Sequence, residues 1–314
     1  MSSVRERKLA FVAWITVCFV WGTTYLAIRI GLESVPVALL GGLRWTAAGM
    51  LLVAIAPLVG QRLPALRELG GVALVGFLMN VVGNGLVVWA EQFVASGLAA
   101  VVVAMVPFWT VFVEAVLPGG ERLSWRALGG LTLGFLGIVV LLWPELRGTT
   151  AQGSAFVFGV LALQVACFGW ALGTSLTKRK PSVAGPIANS GMQMLFGGLM
   201  LLAIGTASGE WGVLAFTTRT AAAMIYLTLV GSIVGYSAFL YAIKHLPVST
   251  VSLYAYVNPI IAVILGTLIL AEPFDVRIVV SAAMVFCGIL IVRSSASRRS
   301  ARVKSPDSRS KAVA

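Results

Sequence analysis

Acidic side chains are scarce in this sequence. Eleven Asp and Glu accompany 23 Lys and Arg in 314 residues, and charged residues together make up 11%. A soluble domain carries about 25% charge because its surface must meet water, so a water-facing shell is excluded for most of this chain. A single histidine, His245, argues against a histidine-based metal site. Cys18, Cys167 and Cys287 each sit alone in an apolar run without CxxC spacing, which suits small buried residues and not a disulfide framework. No HExxH occurs and no Asp falls inside an apolar run, so a membrane-embedded enzyme would lack its convergent acids, bases and metal ligands. Neither metal nor cofactor is expected.

What the chain has in quantity is apolar length. Hydrophobic residues make up 59% and mean hydropathy is +0.97. They come in runs of about 20 residues, enough to cross a ~30 Å hydrocarbon layer as helix. Ten runs can be read, at about 9–31, 36–60, 70–91, 94–117, 125–143, 154–177, 183–206, 221–242, 248–271 and 276–293. Short connections join them, among them Pro118-Gly119-Gly120 and the one holding Pro181. The first run follows Arg5, Arg7 and Lys8 as a signal peptide would. It is too long for a typical h-region and no small-residue cleavage site follows, so it is read as a retained helix.

Lysine and arginine set the orientation. With a cytoplasmic N-terminus, eighteen of the 23 fall on the cytoplasmic side and three (Arg147, Arg219, Arg277) on the other, while Arg29 and Arg44 lie within helices. That asymmetry predicts cytoplasmic N- and C-termini. It also accounts for the net charge of +12 without a nucleic-acid partner. The expected organisation is a cytoplasmic N-terminus (1–8), a first five-helix unit (9–143), a second (154–293), and a disordered basic cytoplasmic tail (294–314) able to touch anionic lipid.

The two units repeat each other. Trp21-Gly22 aligns with Trp170-Ala171, and Ala54-Ile55 with Ala203-Ile204, at an offset of 149. Gly83 aligns with Gly235, Trp89-Ala90 with Tyr241-Ala242 and Pro107 with Pro259 at 152; Glu121 aligns with Glu272 and Gly137 with Gly288 at 151. Five is an odd number, so the second copy must enter the membrane from the opposite face. The predicted fold is an all-α membrane protein of ten transmembrane helices, built as two inverted five-helix repeats around a central cavity. Such symmetry suits alternating access.

The stretches VWGTTYLAIRIGL (20–32), RWTAAGMLL (44–52), the helix-loop-helix at 106–142 and its copy at 257–292 resemble the drug/metabolite transporter superfamily of the EamA type. The glutamate ahead of a Gly-rich fifth helix, Glu121 and Glu272, is the more specific part. The resemblance covers roughly residues 9–293. It implies an exporter of the bacterial inner membrane, nearest to those handling amino acids and other metabolites, aromatic amino acids among them.

Polar groups inside the spans supply the candidate site. Asn80 and Asn84, four apart, would share one face of the third helix, and an amide in hydrocarbon must point to protein or to a wet cavity. Their repeat counterparts are Ser232 and Tyr236, and interhelical packing is the competing role. Pro107 and Pro259 deprive the carbonyls of Val103 and Ala255 of their N–H partners and are expected to act as hinges. Asn258 precedes the second proline and shares a face with Tyr254. Trp21 and Tyr25, with Gln164 and Trp170 of the sixth helix and Trp109 of the fourth, form an aromatic and amide set near mid-depth. That set suits amino-acid side chains or flat organic molecules, and core packing is its competing role. Arg44 is expected to snorkel outward or to pair with Glu33 or Glu91, and Glu114 to reach water at the cytoplasmic end of the fourth helix.

These features predict a carrier that exports small neutral or zwitterionic metabolites, amino acids foremost. With no acid at the midplane, tight proton coupling is not expected. Its partners would be a small-molecule substrate and membrane lipid. Two alternatives belong to the same superfamily. A drug/proton antiporter would want a membrane-embedded glutamate, and a nucleotide-sugar-type carrier would want several cavity-facing cations.

Overall fold

The computed structural model describes residues 4–118, 125–146, 153–179, 184–246 and 254–304. Expectations placed on Gly119-Gly120, Glu121, Arg122, Arg147, Lys180 and Pro181 lie outside the described residues. In chain order the helices are α1 (Val4–Gly31), α2 (Val37–Leu58), α3 (Leu66–Ala90), α4 (Ser96–Val116), α5 (Trp125–Leu146), α6 (Gly153–Arg179), α7 (Pro186–Ala207), α8 (Thr218–Ala242), α9 (Tyr254–Leu270) and α10 (Val276–Lys304). Seven of them are long and apolar enough to cross a membrane. In α5, α9 and α10 the apolar stretches are shorter: Leu128–Trp143, Val257–Leu270 and Val276–Ile291. The last helix also runs on to Lys304, into the segment expected to be disordered. Its Ser, Ala, Arg and Lys contain no breaker before Pro306, and a residue ahead of proline disfavours helix.

Burial is distributed as hydrocarbon demands. Phe11, Phe19, Leu51, Phe158 and Leu268 are exposed, while Arg44, Asn80, Glu91, Gln193 and Asn258 are buried. Cys18 and Cys167 are buried as expected, but Cys287 is exposed, because it faces outward from α10 among Leu290 and Val280.

Two helix pairs form antiparallel seams through glycine. In the α2–α7 seam, a Cβ on Gly42 would meet the Leu202 nitrogen at 2.8 Å and one on Gly191 would meet the Val53 nitrogen at 3.0 Å; Gly49 abuts Leu195, and Gly198 abuts Thr46. The second contact of each pair is the first shifted by 149 residues in both partners. In the α5–α10 seam Gly137 abuts Ser281 and Gly288 abuts Gly130, reciprocal at an offset of 151. Small faces bring backbones this close in a medium with no hydrophobic drive between helices.

Helix ends are closed by the other half of the chain. Gln61 Oε1, just past α2, accepts the N–H groups of Ile187 and Ala188 at the start of α7 (2.9 and 3.2 Å). Glu210, just past α7, accepts those of Ala38 and Leu39 at the start of α2 (3.2 and 2.8 Å). Glu272 caps α4 through Ser96 and Gly97 (2.8 and 3.1 Å). Ala271, with φ of 52°, sits in the left-handed region and turns the chain so that Glu272 folds back.

α3 and α8 each contain a π-helical stretch, Phe77–Gly85 and Leu227–Val234. There hydrogen bonds reach five residues back instead of four, and side chains reinforce them. Asn84 Nδ2 donates to the Met79 carbonyl at 2.9 Å, and Ser232 Oγ to that of Leu227 at 3.0 Å. The prolines behave differently from one another. α4 breaks at Ala104-Met105, and Pro107 lies in the first turn of the following piece, Val106–Val116. The Cys167 thiol approaches the Val103 carbonyl at 3.8 Å. α9 runs through Pro259 unbroken.

The seams give a stability test. Gly49→Ala is expected to lower stability by about 1–3 kcal/mol, because its Cβ would lie 2.5 Å from the Leu195 nitrogen. Gly70→Ala, with nothing within 4 Å, should be neutral or slightly stabilising. Thermal melting of the purified protein in detergent reads both, and equal melting shifts would contradict the seam.

Candidate functional site

Eight helices converge on one cavity of about 690 Å³, to which α5 and α10 contribute no lining residue. Its centre is Trp21. That ring lies 6.4 Å from Trp170, 6.3 Å from Tyr236, 5.3 Å from Phe239 and 5.1 Å from Tyr254, centroid to centroid. The indole Nε1 donates to the Gly231 carbonyl at 3.2 Å, and a Cβ on Gly235 would come within 2.7 Å of the same nitrogen. One ring from α1 thus gathers partners from α6, α8 and α9. The contacts with Trp170 and Tyr254 are edge-to-face, each worth about 0.5–1.5 kcal/mol beyond the area they bury.

Trp21, Tyr25, Asn84, Pro107, Trp170, Tyr236, Tyr254, Asn258 and Pro259 all line this cavity. Asn258 is also tied to the frame: with its amide oriented to satisfy both acceptors, Nδ2 donates to the carbonyls of Cys18 (2.9 Å) and Tyr254 (3.0 Å).

Asn80, Trp109 and Gln164 lie elsewhere. Asn80 turns to α7 and donates to the Gln193 carbonyl at 3.0 Å. The wider π-helical turn rotates it away from Asn84, so the shared face expected of an α-helix is lost. Trp109 Nε1 donates to Gln164 Oε1 at 2.9 Å. Phe112, Phe135 and Phe168 pack around that indole at 5.5–5.8 Å. Past the break in α4, Trp109 faces Gln164 of α6 and stays out of the cavity lining. None of these three lines the cavity.

Other lining residues carry no warning from the aromatic pattern. Asn189 and Gln193, four apart on α7, line the wall, and the spacing argument applied to Asn80 and Asn84 would have found them. Arg44 does not snorkel. It is 4% exposed, its Nε donates to Ser232 Oγ at 2.9 Å, and its guanidinium lies 4.2 Å from the Trp45 ring centroid. Glu33 pairs instead with Arg219 at 3.1 Å. Glu91, in the turn between α3 and α4, is fully buried, and neither carboxylate oxygen has a hydrogen-bond partner among the described residues. Burial holds its carboxyl well above the usual range; Glu272 adds to that, and Arg29 and Arg44 oppose it. Arg29 donates to the Glu91 carbonyl. Glu114 reaches the surface as expected and pairs with Arg179 at 2.8 Å.

The cavity reaches the surface beside Thr177 and Pro186, both exposed, at the connection of α6 and α7. At its other end Glu91 and Ser96 are fully buried under Glu272.

The model of the EamA-like transporter family matches twice, over residues 8–143 and 157–294. The chain belongs to the EamA-like transporter family. It is therefore a multi-pass membrane transporter. It is 37% identical over 268 residues to the uncharacterized inner membrane transporter YedA of Escherichia coli K12, covering 84% of each chain. It is 28% identical over 290 residues to a chloroplastic WAT1-related protein of Arabidopsis thaliana, covering 90% of this chain and 69% of that one. A probable terminal-alkyne amino-acid exporter of Streptantibioticus cattleyicolor is 26% identical over 308 residues, covering 96% of this transporter and 100% of that one. One crystal structure superposes with a TM-score of 0.62 at 20% identity, covering 94% of this transporter and 99% of that chain, a likeness of fold alone.

Cysteine accessibility tests the azimuths. With the native cysteines replaced by alanine, Asn84→Cys and Trp170→Cys are expected to react with a small water-soluble thiosulfonate. Asn80→Cys and Gln164→Cys should resist it at least about tenfold longer, as buried thiols do. Equal labelling of Asn80→Cys and Asn84→Cys would contradict the placement.

Proposed function

We propose that this protein is a carrier that exports small neutral or zwitterionic metabolites, amino acids foremost and aromatic ones among them, by alternating access. The observation that carries the reading is the cavity, an aromatic and amide-bearing chamber walled by helices of both halves and reaching the surface near Thr177 and Pro186. An apolar chamber of this size with a few hydrogen-bonding groups suits a small organic solute. The amino-acid exporter among the relatives supports the substrate class.

The underlying architecture is read as ten spans in two inverted five-helix repeats. Three things support it: the double family match, the antiparallel seams, and caps that recur at the same offset with the halves exchanged. Halves related in this way can trade conformations, which is the essence of alternating access. The concentration of Lys and Arg supports an orientation with both termini in the cytoplasm. In that orientation the mouth beside Thr177 faces the cytoplasm, where an exporter loads. Pro107, beside the break in α4, and Pro259 are the assigned hinges.

Flux without tight proton coupling fits a cavity whose described lining residues include no acid. A second reading, proton-coupled exchange, draws on one observation: Glu91 is buried with its carboxyl unpartnered between Arg29, Arg44 and Glu272.

Uptake of labelled amino acids into proteoliposomes separates the two. The expected result is flux down a substrate gradient without a proton gradient, reduced at least about tenfold in Trp170→Ala and Asn84→Ala by the loss of stacking and hydrogen-bonding groups. Flux that demands a proton gradient and disappears in Glu91→Gln would replace this reading with the second.

A further inference from the structure

Arg44 is the one charged residue among the described residues lining the cavity. Cations within a membrane-embedded wall are unfavourable unless something compensates them. Here compensation is incomplete. The Nε–H is used by Ser232 Oγ at 2.9 Å, and the guanidinium stacks 4.2 Å from the Trp45 centroid. Ser232 is itself fixed by its bond to the Leu227 carbonyl at 3.0 Å. Guanidinium carries five N–H donors, and the four on Nη1 and Nη2 have no hydrogen-bonded acceptor among the described residues. Glu91 attracts the group electrostatically, yet its own oxygens make no hydrogen bond among the described residues, so it does not occupy the fork.

The fork is also placed for a ligand. Gly231 touches both Arg44 and the aromatic centre: a Cβ there would lie 3.3 Å from Nη2, while its carbonyl accepts from Trp21 Nε1 at 3.2 Å. A guanidinium held at Nε, stacked on one face and open at its two terminal nitrogens, matches a carboxylate in bidentate geometry.

We propose that Arg44 is the carboxylate anchor of the cavity, binding a monocarboxylate through Nη1 and Nη2 with the apolar remainder of the ligand against Trp21. This rests on reading the cavity as a substrate site and narrows it. The ligand must carry an acid group of its own, and carboxyl-free cations are repelled. The single charge also sets the limit at one anionic group, which disfavours nucleotide sugars.

The test is equilibrium binding to the purified full-length protein in detergent, read by quenching of tryptophan fluorescence and by ligand-induced melting shifts. The probes are L-phenylalanine, L-phenylalaninamide, and 3-phenylpropionate, which keeps the carboxylate and lacks the ammonium. Wild type is expected to bind the two carboxylates and to bind the amide about 10- to 100-fold more weakly, the worth of a charge-assisted pair. Arg44→Gln should lose that preference, and Arg44→Lys should retain part of it. Ser232→Ala, which leaves Nε unpaired, should weaken carboxylate binding and also lower the ligand-free melting temperature, so Arg44→Lys, which keeps the charge, is the control if Arg44→Gln folds poorly. If L-phenylalanine binds Arg44→Gln as tightly as wild type, the anchor is wrong and the amino-acid reading stands. If only 3-phenylpropionate binds, and Arg44→Gln abolishes it, the anchor stands and the amino-acid reading falls. Failure of every carboxylate to bind wild type would overturn the anchor.

Discussion

No helix end or helix break inside hydrocarbon can lean on water, so each free N–H and C=O must be closed by another part of the chain. Much of this structure follows from that constraint. Gln61 and Glu210 close the starts of α7 and α2, each reaching across from the end of the other helix. Glu272 reaches back to α4. Asn84 and Ser232 serve carbonyls inside the two π-helical stretches, and Cys167 approaches the one at the break of α4. The bonds of Asn84 and Ser232 are local, but the other closures link segments far apart in sequence, so satisfying the backbone there also ties the tertiary structure together.

Glycine sets how closely the frame can draw in. The α2–α7 and α5–α10 seams bring backbones into contact at Gly49, Gly198, Gly137 and Gly288. The two seams differ in what they leave beside them. α5 and α10 contribute nothing to the cavity, whereas Arg44, Trp45, Asn189 and Gln193 look into it from α2 and α7. The same seam that needs small residues on one side of these helices therefore presents large and polar ones on another. Gly231 and Gly235 perform a similar service, clearing the space in which Trp21 and Arg44 meet α8.

Charge is treated sparingly throughout. Exposed ion pairs such as Arg219–Glu33 and Arg179–Glu114 sit where water can screen them and contribute little to stability. Arg44 and Glu91 are different, buried and left without a mutual hydrogen bond. Two such groups in a medium this apolar are costly, and their cost marks them as more than packing.

Helix content, the membrane setting, and the polar and aromatic residues worth watching were legible in the sequence. Hydropathy runs are local, and the constant offset between halves survives in contacts such as Gly49–Leu195 and Gly198–Thr46. Tertiary structure decided which way those residues face. Asn80 and Asn84 would align on a regular α-helix, but a π-helical turn separates them, and the widening has no signature in hydropathy. The break at Ala104-Met105 sends Trp109 to Gln164 and away from Trp21. Arg44 could be placed on a helix from sequence; that it would be buried under Trp45 with its fork open depended on Ser232 and Gly231, 188 and 187 residues away. Composition determines what a segment can be dissolved in, because transfer free energy sums over local side chains. Azimuth and partners are determined by the closure of backbone groups between distant segments, and that sum exists only once the chain is folded.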